Sequence, residues 1–350
     1  DELKIENYDC RQDDSFFIPS ERFSYIFNST IKGIDDSDLC LLVGTDVKKE
    51  APILSSRIRQ RFLSSPKSYK IFSVGNFNLN FSVDYLGGSS SSLKKLNEKK
   101  NLDYFKKSKK PLFILGQGAM CQNDAADIFN YCLNFYQKVS KNSDWNGFNI
   151  LQTFSGRVGA LDLGFYKKKN ISKSLVKEIY DGKFKVLYLM SADEINFDKI
   201  PKKTFVIYHG HHGDKAVKRA DLIIPMSCFT EKEGIYVNLE GRPQISSQVK
   251  FPIDGVSHSW EFLNKLSKLF NLSIFSNLND LREKMFFNHQ HLGYINEIKS
   301  SKINKNKSSK LKFSNEEIKS NILNFYMTDS VSRNSKIMSE CSLAFLKEAK

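Results

Sequence analysis

The chain has 350 residues, of which 40% are hydrophobic and 26% charged. That is enough for one large or two ordinary domains around a substantial core, and it excludes a disordered chain. The formal net charge is +14, but the lysines gather in polar runs near 94–110 and 302–312. These runs lack the interleaved stacking aromatics of a nucleic-acid platform, so solvated surface is expected and no nucleic-acid partner.

In chain order, Leu39–Val43 reads as a buried strand closing on Gly44, with Thr45 and Asp46 leading toward a helix that has Pro52 in its first turn. A strand at Tyr69–Val74 follows. Residues 87–110, rich in Gly and Ser and then in Lys, read as a loop or linker. Pro111–Leu115 is a third buried strand, and Gly116 and Gly118 precede a helix near 124–140. A short strand at Phe148–Leu151, a helix at 172–181, and strands at 184–190, 204–209 and 221–224 complete the alternation. Buried strands alternating with amphipathic helices predict a doubly wound, mostly parallel α/β sheet. Residues 227–253 read as a loop and hairpin. Ser257–Phe270 reads as a helix with Trp260, Phe262, Leu263, Leu266 and Leu269 on its apolar side. The organisation expected is an α/β domain over 1–270 and a helical and extended tail over 271–350.

The longest apolar runs, such as Leu39–Val43 and Pro111–Leu115, are far short of the ~20 residues of a spanning helix, so no membrane span is expected. The chain opens on Asp1 with no charged and then apolar leader pattern, so no signal peptide is expected and the sequence is read as beginning inside a longer product. The cysteines stand at 10, 40, 121, 132, 228 and 341. Iron–sulfur and structural zinc sites use pairs two to four residues apart. With no such pair, no cluster is expected on this chain.

Five segments can carry chemistry. Gly44-Thr45-Asp46 closes a strand before a helix, as either an anion site or a tight turn requiring Gly. Gly116-Gln117-Gly118 repeats the arrangement without the third glycine of a dinucleotide fingerprint. Phe154–Gly164 is a glycine-spaced loop, suited to cradling an anion or to close backbone packing. His209-Gly210-His211-His212 brings three imidazoles together, and in an extended chain His209 and His211 share a face. No metal site is expected, with His209, His211 and His212 the candidates. Glu231, Glu233, Gly234, Asn238, Glu240, Gly241 and Arg242 lie in a Gly-punctuated hairpin where the glutamates are possible acid/base groups.

The stretch ADLIIP…TEKEGIYVNLEGRPQ, from Ala220 to Gln244, resembles the molybdopterin oxidoreductase superfamily, whose segment lies near the pterin cleft. That resemblance makes Gly44, Thr45, Asp46, Glu231, Glu233, Gly234, Asn238, Gly241 and Arg242 candidates for a relic cleft. Four further stretches resemble the largest iron–sulfur subunits of respiratory complex I: residues 27–61, SGRVGALDLGF at 155–165, YHGHHGD at 208–214 and NFYMTDSVSRNSKIMSEC at 324–341. The resemblance implies a structural, non-redox part of NADH:ubiquinone oxidoreductase in its hydrophilic arm, on the matrix side of the mitochondrial inner membrane. It implies no catalytic residue and no cofactor on this chain, with FMN and iron–sulfur clusters on other chains. Its partners would be other hydrophilic-arm subunits and an N-terminal iron–sulfur part. Because the family's cluster-bearing modules and the early part of the domain are not in this sequence, the α/β domain is expected to be incomplete at its N-terminus and that partner to be a separate chain. A fragment of an active molybdopterin-dependent oxidoreductase is the alternative.

Overall fold

The computed structural model describes residues 4–142, 144–169, 173–304 and 311–346. Among the described residues ten strands form, β1 (Leu39–Val43), β2 (Lys70–Val74), β3 (Asp84–Gly87), β4 (Pro111–Leu115), β5 (Phe148–Ile150), β6 (Val186–Met190), β7 (Phe205–Gly210), β8 (Leu222–Pro225), β9 (Gly234–Val237) and β10 (Pro243–Ser246). The first five make one sheet in the order β3-β2-β1-β4-β5, and every pairing in it is parallel. This is a doubly wound order whose direction reverses between β1 and β4. β1 is central, with Leu39 opposite both Lys70 and Pro111.

The continuous apolar runs of β1 and β4 are explained by helices on both faces. Leu39, Leu41, Val43, Phe113 and Leu115 face the helix Ala125–Val139, through Ile128, Phe129, Cys132 and Tyr136. The alternate residues Cys40, Leu42, Leu112 and Ile114 face the helix Pro52–Ser64, through Leu54 and Ile58. Residues 87–110 are not a linker. They continue from β3 into a 3-10 helix at Ser90–Asn97 and a helix at Lys99–Lys107. Leu93, Leu96 and Phe105 are fully buried in the first core, and the surrounding lysines mask that apolar spacing in the sequence.

The next three strands form a separate parallel sheet, β6-β7-β8. One face is covered, with Leu189, Val206 and Tyr208 packed on Leu175, Ile179, Ile195, Phe197 and Ile200. The opposite face is open at the start of the strands. Val186 pairs with Phe205 and Ile207 with Leu222, and Val186, Phe205 and Leu222 are 58%, 46% and 46% exposed. The helix expected at 172–181 spans Val176–Tyr180, and its residue 172 lies outside the described residues.

β9 and β10 pair antiparallel, as the hairpin reading requires. The helix Ser259–Leu269 forms, but its apolar side is only half-buried at Trp260, Phe262, Leu263 and Leu266, and Leu269 is 80% exposed. Beyond it come helices at Leu278–Asn288 and Lys336–Leu346. Of 299–314, residues 305–310 lie outside the described residues. The following segment returns to the first sheet, where Ile318 is buried in the first core and its N–H donates to the Gly88 carbonyl at 2.8 Å. None of the described helices is long and apolar enough to cross a membrane.

Candidate functional site at the carboxyl ends of the strands

In a doubly wound sheet the ligand crevice opens at the carboxyl ends of the strands, where the order reverses. Here that point lies between Gly44, after β1, and Gly116, after β4. Gly44 takes φ +60°, a conformation suited to glycine. A Cβ on Gly44 would lie 2.4 Å from the Ala119 Cβ, and one on Gly116 would lie 2.3 Å from the Thr45 Cβ. The two turns are therefore packed against each other, leaving no room for side chains between them.

The backbone donors of this crevice are engaged by Glu50. Its Oε1 accepts from the Asp46 N–H at 3.0 Å and its Oε2 from the Gln117 N–H at 3.2 Å. Burial pushes the Glu50 carboxyl up to about 7, against the lowering effect of those two N–H donors. The tail closes the opening. A Cβ on Gly118 would lie 2.5 Å from the Lys319 carbonyl oxygen, and Asn321 Nδ2 donates to the Gln117 carbonyl at 3.1 Å.

The residues 231–242 do not converge on that point. Glu231 Oε2 accepts from the Cys228 N–H at 2.9 Å, and Glu233 pairs with Arg282 at 2.5 Å. Asn238 Oδ1 accepts from the N–H groups of Glu240 and Arg242, both at 3.0 Å, and builds the turn. Gly241 takes φ +78° at its tip. Arg242 Nη1 donates to the Asn296 carbonyl at 2.6 Å, and the Ile31 N–H donates to Glu240 Oε1, also at 2.6 Å. Gly234 opens β9 with its Cα side against the Tyr236 ring. These groups serve caps, turns and ion pairs.

The glycine-spaced loop contains a buried ionic knot instead of an anion cradle. Asp162 accepts from Arg22 Nε at 2.9 Å and Nη2 at 2.8 Å, and from the Tyr25 hydroxyl at 3.0 Å. Arg22 Nη2 also donates to the Gly241 carbonyl at 2.9 Å, tying this loop to the hairpin turn. Burial opposes the Asp162 charge, but His291 and Arg22 outweigh it and hold the carboxyl below its ordinary range.

At the carboxyl end of the second sheet the histidines part company. His209, the fifth residue of β7, is buried, with Nδ1 2.7 Å from the Tyr188 hydroxyl and its ring 5.0 Å from Phe262. His211 and His212 lie beyond the strand, with Nδ1 atoms 2.6 Å apart. Pairing His209 with His211 by alternation fails because the strand ends at Gly210. Cys228, from the loop after β8, joins His211 and His212 instead, and the three ligand atoms lie within 4.8 Å of one another. Spacing along the chain does not single out Cys228; the adjacency of β7 and β8 does.

The molybdopterin oxidoreductase family model matches residues 2–269. The chain belongs to the molybdopterin oxidoreductase family. A second model, for the C-terminal part of the G subunit of NADH-ubiquinone oxidoreductase, matches residues 294–341. The chain is similar to the G subunit of NADH-quinone oxidoreductase from Rickettsia bellii, 36% identical over 344 residues, which are 97% of this chain and 49% of that protein. It is also similar to the NADH-ubiquinone oxidoreductase 75 kDa subunit of Reclinomonas americana, 35% identical over 96% of this chain and 49% of that protein. The mitochondrial NADH-ubiquinone oxidoreductase 78 kDa subunit of Candida albicans is 37% identical over 93% of this chain and 45% of that protein. The chain spans about half the length of these curated relatives.

A molybdopterin of the kind the family name implies would set its phosphate against the switch-point amides. Those of Asp46 and Gln117 already serve Glu50, and Lys319 packs over Gly118. The residues present at this point do not fit the group.

Proposed function

We propose that this chain is the molybdopterin-oxidoreductase-like part of the largest iron–sulfur subunit of mitochondrial NADH:ubiquinone oxidoreductase, and that it serves there as a structural, non-redox element. Electrons would pass from NADH to ubiquinone through FMN and iron–sulfur clusters on other chains. The observation that carries the non-redox reading is the crevice between β1 and β4, filled by Glu50 and by the tail at Lys319. The open face of β6, β7 and β8 supports an assembled chain, because apolar patches of this kind mark surfaces that another protein covers. In this role the chain belongs to the matrix-side hydrophilic arm, with other arm subunits as partners. One specific partner is an iron–sulfur-bearing chain corresponding to the half of the relatives that this chain does not span.

The test is isolation of the endogenous assembly on a native gel, with mass spectrometry and metal analysis of the band. Co-migration with NADH dehydrogenase activity and a separate cluster-bearing subunit, with no molybdenum, is the expected result. A single full-length product would overturn the separate-chain element. A small assembly containing molybdenum and pterin would overturn the non-redox reading and favour an active molybdopterin enzyme.

A further inference from the structure

The carboxyl ends of β7 and β8 place His211, His212 and Cys228 around one point. The strands are adjacent and parallel, with Gly210 opposite Pro225. The two imidazoles follow immediately after β7 and the thiol follows three residues after β8. Each of the three is half-buried, so an ion there would be partly desolvated yet reachable from solvent.

The donor chemistry is selective. Two imidazole nitrogens and a sulfur suit a borderline or soft divalent ion, and exclude the hard oxygen-seeking calcium and magnesium. The His211 and His212 Nδ1 atoms are 2.6 Å apart. Two nitrogens that close share one hydrogen, so at least one lone pair already points into the gap. Zinc bonds to imidazole at ~2.0–2.1 Å, which at tetrahedral angles separates two nitrogens by about 3.3 Å. Opening the pair by under an ångström and displacing the shared proton thus creates the coordination edge. The Cys228 position is fixed by its own backbone, since its N–H donates to Glu231 Oε2 at 2.9 Å.

We propose that His211, His212 and Cys228 form a metal site for a zinc-class divalent ion, bound by two imidazole nitrogens and one thiolate, with the fourth position open to water. Binding releases the thiol proton, while the hydrogen shared by the two imidazoles moves to an outer Nε2 and both rings stay neutral. The site would clamp the loops after β7 and β8 together. It lies on the second sheet, apart from the filled crevice of the first, and does not depend on the proposed role in an electron-transfer complex.

Cobalt(II) titration of the purified, metal-stripped full chain tests this. The expected result is one cobalt per chain, with tetrahedral visible bands and a sulfur-to-cobalt charge-transfer band, both removed by one equivalent of zinc. Cys228→Ser is expected to abolish the charge-transfer band, and His211→Gln to weaken cobalt affinity by tenfold or more. Cys121→Ser, a thiol elsewhere, is expected to change neither. Circular dichroism of each variant shows whether it is folded, and zinc-dependent elevation of the wild-type Tm provides a readout if one variant is not. A charge-transfer band that persists in folded Cys228→Ser, or no stoichiometric cobalt binding by the wild type, would overturn the proposal.

Discussion

Arg333 Nε donates to Asp214 Oδ2 at 2.7 Å, joining the C-terminal segment to the loop after β7. The same guanidinium forks onto Glu194 at 2.7 and 3.1 Å and lies 3.5 Å from Asp193. One cation thus holds three carboxylates from the loops after β6 and β7. Burial and the neighbouring Glu194 already push Asp193 up to about 6. The ion pair thus joins the stretches at 208–214 and 324–341 in the fold.

Arg333→Ala removes the cation and leaves the carboxylates facing one another. The expected loss is about 3 kcal/mol near pH 8, as for a largely buried pair broken on one side. Asp193, already raised to about 6 and then without the Arg333 charge that lowers it, titrates at higher pH when folded than when unfolded, so the folded variant holds more protons. Stability of the variant therefore falls as pH rises through the carboxyl range, and its deficit is smaller at pH 5 than at pH 8. Arg333→Lys is expected to recover only part of the loss, because a point charge cannot fork across Glu194 and Asp214. Urea denaturation at the two pH values checks both the deficit and its slope.

Glu50→Gln addresses the filled crevice. With a folded value of about 7 against an ordinary 4.5, Glu50 binds its proton more tightly when folded. Its contribution to stability therefore declines as pH rises from about 4.5 to 7 and is constant above that. Glutamine keeps a carbonyl oxygen for one of the two N–H groups and never ionises. The variant is expected to gain on the wild type across that window, by up to about 3 kcal/mol less the lost hydrogen bond. Parallel pH profiles for the two proteins would show that the carboxyl is not held in this environment.

Gly118→Ala tests the closure of the same crevice by the tail. Gly118 needs no left-handed backbone, so the effect of an added methyl is steric. It would lie 2.5 Å from the Lys319 carbonyl oxygen and 2.6 Å from that of Gly44. The expected cost is about 2 kcal/mol, the range for overpacking, with the tail yielding before the sheet. Hydrogen exchange is expected to quicken first at Ile318, whose N–H reaches the Gly88 carbonyl, while β1 amides stay protected. Equal acceleration in β1 and at Ile318 would mean that the tail is not the weaker partner.

The first sheet is legible in the sequence because Leu39–Val43 and Pro111–Leu115 are uninterrupted apolar runs ended by glycine, the mark of strands covered on both faces. The helices at 90–107 are not, since Leu93, Leu96 and Phe105 are scattered among lysines that stay in solvent. The division into two parallel sheets is also hidden, because β6, β7 and β8 have the same apolar character as β1 and β4 and periodicity carries no information on partners. At the candidate site, Gly44 and Gly116 are readable as turn glycines, but Glu50 escapes sequence reasoning. Its role requires knowing that β1 and β4 are neighbours, and only then does a carboxylate six residues after Gly44 fall on the Gln117 amide. Cys228 escapes for the same kind of reason.

Asp162 carries the buried ion pair of the glycine-spaced loop. Its side chain is fully buried, and its oxygens are shared by Arg22 and Tyr25, with His291 Nε2 at 3.4 Å. Asp162→Asn keeps the shape but leaves the largely buried Arg22 guanidinium without its counter-charge, held only by neutral acceptors such as the Gly241 carbonyl. The expected cost at neutral pH is about 3 kcal/mol. In the wild type the folded carboxyl titrates below its ordinary 3.8. Its stabilisation is therefore complete above that value and is lost as pH falls through the depressed folded value. The gap between wild type and Asp162→Asn should accordingly be wide at pH 7 and narrow in acid below about 4. Urea denaturation of both proteins across that range measures the gap directly. A gap that stayed constant into acid would assign the loss to packing, and the ion pair with Arg22 would then contribute nothing of its own.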